Sequence, residues 1–134
     1  MMSNGLDAKK QGIAMRAFDE GVNYYNQEMY EPAERKFKEV LDIMLASDGA
    51  WNGLGLVYKN RHVDALNRLV KTGRFQFQQD IIRDLYMSKL FFDIAIDLNP
   101  GNQEAKVNLL GWRQNMNAYR IGIPEHIENW SKII

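Results

Sequence analysis

An all-α fold is predicted for this 134-residue chain on three observations. Apolar residues recur at intervals of three and four, the period of an amphipathic helix. Prolines stand only at 32, 100 and 124, which leaves long stretches free of helix breakers. No segment shows the alternation of a half-buried strand. The length fits one domain, residues 1–134, large enough to bury a core.

The first helix is marked by Ala14, Ala17, Phe18, Gly21, Val22 and Tyr25. The second carries Ala33, Phe37, Val40, Leu41 and Met44, with Pro32 in its first turn, where a missing N–H does no harm. Asp48 is the predicted N-cap of the third. Asn99-Pro100-Gly101-Asn102 is the strongest turn signal, and a helix over Glu104–Tyr119 is expected after it. Ile121-Gly122-Ile123-Pro124 then breaks the pattern, and Pro124 starts a short helix with Ile123, Ile127, Trp130 and Ile134 on one stripe. That stripe either folds back onto the preceding helix or meets another subunit.

Ala17, Gly21 and Tyr24 recur 34 residues later as Trp51, Gly55 and Tyr58. The second copy reads Trp51-x2-Leu54-Gly55-x2-Tyr58; the first continues through Tyr30 to Ala33-x3-Phe37. Small residues at such positions let two helices approach, and large aromatics fill the holes around them. This pattern resembles the tetratricopeptide repeat (TPR) over roughly residues 14–110. The resemblance implies a right-handed α–α superhelix, with a repeat at 14–47, an interrupted repeat at 48–102 and a C-terminal cap at 103–134. In the cap, Ala105 and Leu109 fit a third repeat, but Lys106 and Arg113 do not, and Gly111 and Trp112 fall out of register.

The second repeat closes late. Ser88, Phe92 and Ala95 stand for Ala33, Phe37 and Val40, 55 residues on rather than 34. The 21 extra residues amount to about six helical turns. The stretch from about 61 to 83 keeps helical spacing at Val57, Arg61, Ala65 and Leu69, and again at Ile81, Ile82, Leu85 and Tyr86. Lys71-Thr72-Gly73-Arg74 supplies a turn between them. An elongated helical hairpin is therefore expected, each arm about 24 residues and about 36 Å long.

Net charge is zero, so bulk electrostatics names no partner, and a wholesale nucleic-acid binder is not expected. The chain has no cysteine and two histidines, which disfavours metal sites and cysteine chemistry. Gly53-Leu54-Gly55 lacks the following lysine and hydroxyl residue of a phosphate loop. Glu28, Glu31 and Glu34 read as helix surface partnered by Arg35 and Lys38, and His62, beside Arg61 and Asp64, as a solvated face. His126 reads as surface too. No catalytic residue, cofactor or metal site is expected, and an enzyme is not. No apolar run approaches the ~20 residues of a membrane span, and the N-terminus lacks a secretory signal, so a soluble cytoplasmic protein is expected.

In TPR proteins the first helix of each hairpin lines a groove that grips a peptide or a partner helix. By register the resemblance assigns Phe18, Val22, Tyr25 and Asn26 from the first repeat, Asn52, Leu56, Lys59 and Asn60 from the second, and Asn108 from the cap. The asparagines would bind a peptide backbone, with Phe18, Val22 and Tyr25 as apolar anchor. Alternatively, Phe18 and Val22 pack against an N-terminal helix from Leu6 onward. The carboxylate clamp of some relatives is not expected, because Phe18, Val22, Gly53, Glu104 and Asn108 occupy its positions.

The inserted hairpin carries five basic residues against Asp64 and Asp80, a net +3, with Arg68, Lys71 and Arg74 at its tip and Phe75 and Phe77 alongside. It reads as a solvated arm, a dimerisation element or, alternatively, a contact for nucleic acid. The leading expectation is an adaptor binding a protein or peptide partner. The alternatives are a nucleic-acid accessory factor and a structural homo-oligomer.

Overall fold

The computed structural model describes residues 8–72 and 79–119, with side chains for all of these except 68–72. They form six helices: α1 (Ala8–Asn26), α2 (Tyr30–Ile43), α3 (Asp48–Asn60), α4 (Val63–Thr72), α5 (Gln79–Leu98) and α6 (Gln103–Ala118). No strand occurs among the described residues, so the protein is all-α.

Helices α1, α3 and α6 lie side by side, running the same way. Phe18 on α1 meets Gly49 on α3, and Tyr25, about two turns further on, meets Asn60. Asp48 at the start of α3 meets Asn102 before α6, and Lys59 near its end lies over Gly111. Helices α2 and α5 form a second layer behind them, returning in the opposite sense as hairpin partners of α1 and α3.

The same packing device joins the layers twice. A Cβ on Gly21 would stand 2.9 Å from the Phe37 ring, and one on Gly53 would stand 2.6 Å from it. Phe37 of α2 is thus wedged into a slot that only glycines on α1 and α3 leave open. Phe92 of α5 presses on Gly55 of α3 in the same manner. The neighbouring small residues Ala33 and Ser88 are fully buried, and Ser88 donates its hydroxyl to the Gly55 carbonyl at 2.7 Å.

Two sequence expectations need correction. The first concerns Asp48: Ser47 caps α3 instead, its Oγ accepting from the Ala50 N–H at 3.3 Å. Asp48 sits in the first turn, where the helix dipole favours a carboxylate. There it accepts from Asn99 and Asn102 at 3.1 and 2.8 Å, tying α3 to the α5–α6 turn.

The second concerns the inserted hairpin. Its first arm is not continuous: α3 ends at Asn60 and α4 begins at Val63. Arg61 and His62 turn inward onto acidic residues of α2 and α5, and that elbow re-aims α4. Leu66 then buries itself among Ile81, Leu85, Trp112 and Met116, which a straight arm would leave behind.

Trp112, out of register with the repeat, is fully buried. Its indole N–H donates to the Leu85 carbonyl at 2.8 Å, anchoring α6 to α5.

Asn102 caps α6 by accepting from the Ala105 N–H at 2.9 Å, and Asn99 accepts from Gly101 at 3.0 Å, as the turn signal implied. Between α1 and α2 the chain reverses through Glu28, whose φ of 60° is left-handed.

Candidate partner-binding groove

The side-by-side layer places most of the sequence-assigned groove residues around one cleft. It measures about 260 Å³ and is lined by Phe18, Val22, Tyr25 and Asn26 from α1 and Asn52 and Leu56 from α3. Glu104 and Asn102 close one end. Phe18, Val22 and Leu56 are half-buried, so the floor is apolar but open. α1 is continuous from Ala8, so within the described residues no separate helix precedes Phe18; its ring packs edge-on against Phe37, centroids 5.8 Å apart.

The polar members are joined to one another. Asn60 donates its amide to the Tyr25 hydroxyl at 2.6 Å, linking α1 to α3. Asn108 donates to Asn52 at 2.9 Å, and Asn52 donates to Glu104 at 3.3 Å, linking α3 to α6. Asn52 is only 5% exposed, so its amide serves chiefly to position Asn108 and Glu104. Burial pushes the Tyr25 hydroxyl pKa up, against the bond from Asn60 and helped by the charge of Glu104. Tyr25 is therefore a neutral phenol at physiological pH, with a hydroxyl proton to donate.

Lys59 lies one turn beyond Leu56 and is half-buried over Gly111. Burial lowers its ammonium pKa, and among the described residues it makes no hydrogen bond or ion pair.

A second cleft of about 260 Å³ lies at the other side of Phe18, lined by Ala14, Met15, Val40 and Met44. Met15 and the nearby Leu45 are largely exposed.

Behind the groove, a charged cluster locks the α3–α4 elbow. The Arg61 guanidinium donates to Asp84 at 3.1 and 2.6 Å and to Glu34 at 3.2 Å, and stacks 4.2 Å from the Tyr58 ring centre. His62 shares Asp84 at 2.7 Å, and Tyr58 donates its hydroxyl to Glu34. Burial would raise the Asp84 carboxyl, but the bonds from His62 and Arg61 and their charges hold it below the ordinary value. Glu34 is likewise lowered against burial, by bonds from Tyr58 and Lys38 and the charges of Lys38 and Arg61.

This cluster corrects the reading of His62 and Glu34 as solvated helix surface. Asp84, just beyond the inserted stretch, was the missing partner. Its presence also reduces the basic excess of the hairpin, since Arg61 and Arg83 both face acidic groups. Arg68 and Lys71 fall on α4, within the stretch 68–72 whose side chains are not described. Arg74, Phe75 and Phe77, and the Ile123–Ile134 stripe with His126, lie outside the described residues.

Among the described residues no group of acidic residues, histidines or cysteines is arranged to hold a metal, and no helix is long and apolar enough to cross a membrane. No family model, curated protein or solved structure matches the chain.

Proposed function

We propose that this protein is a non-enzymatic adaptor of TPR-like build that holds a peptide or helix of a partner protein in the cleft between α1 and α3. The observation that carries this reading is the cleft itself: an open apolar floor of Phe18, Val22 and Leu56, rimmed by Tyr25, Asn26 and Glu104. A partner's apolar side chain fits the floor while its backbone meets the polar rim. The repeated glycine–phenylalanine wedges and the parallel run of α1, α3 and α6 support the TPR-like assignment.

A photo-crosslinking residue at Asn26, exposed at the edge of the cleft, tests the proposal in cell lysate, with the same residue at Glu39 on the exposed side of α2 as control. Partner peptides crosslinked at Asn26, absent at Glu39 and lost in Leu56→Arg, are expected. Equal capture at both positions, or none at Asn26, overturns it.

A further inference from the structure

Just beyond the residues that line the cleft, α3 carries a cation that no described residue compensates. Lys59 projects from the same face of α3 as Asn52 and Leu56, at intervals of four and three residues. Its side chain is half-buried over Gly111, and no described residue supplies it with a carboxylate or a hydrogen bond. By contrast, three cations behind the cleft are compensated: Arg61 by Asp84 and Glu34, Lys38 by Glu34, Lys89 by Asp93. An ammonium that has lost part of its hydration without gaining a counter-ion favours an incoming anion. Three residues along α3 separate Lys59 from Leu56, about 4.5 Å along the axis. An extended peptide covers that distance in one to two residues.

We infer that Lys59 selects the partner: the groove takes an acidic segment, with an apolar side chain on Phe18, Val22 and Leu56 and an Asp or Glu carboxylate one or two residues away on the Lys59 ammonium. This rests on the groove reading above and gives it a substrate chemistry. The burial that lowers the ammonium pKa also strengthens such a pair over one formed in open water.

Lys59 also stands in the last turn of α3, where a cation suits the helix dipole. A purely dipolar role would leave peptide choice unaffected, which separates the two.

The test uses immobilised full-length protein and a pool of random octapeptides capped at both ends, with retained sequences read by mass spectrometry at low and high salt. The expected result is enrichment of peptides with an apolar residue and an Asp or Glu one or two positions apart. The acidic preference over Asn or Gln should be about tenfold, the size of one charge-assisted hydrogen bond, and should fall with salt. Lys59→Met should abolish the acidic preference while keeping the apolar one, and Lys59→Arg should retain both. Apolar enrichment without acidic preference, or an acidic preference unchanged in Lys59→Met, overturns the inference and leaves the groove reading standing. No enrichment of any kind, or a free protein that sediments as a dimer dispersed by Leu56→Arg, overturns both.

Discussion

Phe92 occupies the space that a side chain on Gly55 would need. A Cβ built there would come well within 3 Å of the ring, closer than real Cβ contacts allow, and Phe92 is fully buried with nowhere to retreat. Gly55→Ala should therefore destabilise by about 1–3 kcal/mol through overpacking, despite alanine's better helix propensity. Gly12, also helical, meets nothing within 4 Å. Gly12→Ala should instead stabilise by about 0.5–1 kcal/mol. Urea denaturation of both variants reads the two signs, and the same sign for both would refute the wedge.

The anchoring of α6 rests on Trp112, fully buried with its indole N–H bonded to Leu85. Trp112→Phe should cost about 1–3 kcal/mol for the lost bond and volume, and Trp112→Ala about 3–5 kcal/mol. Hydrogen exchange should show the loss first in α6. Uniform loss across α1 and α2 would contradict the placement.

The elbow cluster gives the protein an acid limb. Asp84 and Glu34 are held below their ordinary values of 3.8 and 4.5 in the folded state. A carboxyl lowered on folding contributes stability that is complete above its unfolded value and is lost as pH falls through the folded one. Stability should hold from neutral pH to about 5 and fall below about 4. Asp84→Asn should lower stability by about 1–3 kcal/mol at pH 7 and flatten part of that limb. Urea midpoints between pH 7 and 2 provide the check; parallel curves for the two proteins would refute the role of Asp84.

Glu28 holds a left-handed backbone, φ 60°, with its side chain exposed. Glu28→Gly should raise stability by up to about 1 kcal/mol, because glycine adopts that conformation without a Cβ clash. A lowered melting temperature would show that Glu28 contributes something its backbone does not reveal.

The candidate groove residues came from the register of the resemblance, and the structure sets most of them around one cleft. Spacing itself showed only that Phe18, Val22 and Tyr25 share one helical face and Asn52 and Leu56 another. What spacing concealed was pairing across the chain. The bond from Asn60 to Tyr25 joins residues 35 apart, and Arg61 reaches Asp84 and Glu34 on two other helices.

Local pattern alone determined that the chain is helical and that it turns at Asn99–Asn102, because periodicity and breakers are properties of neighbouring residues. Only the tertiary structure decided the elbow at Arg61–His62, the burial of Trp112 and the packing of Gly53 against Phe37. Each depends on which charges and cavities distant helices bring within a few ångströms, and that distance is set by packing rather than by separation along the chain.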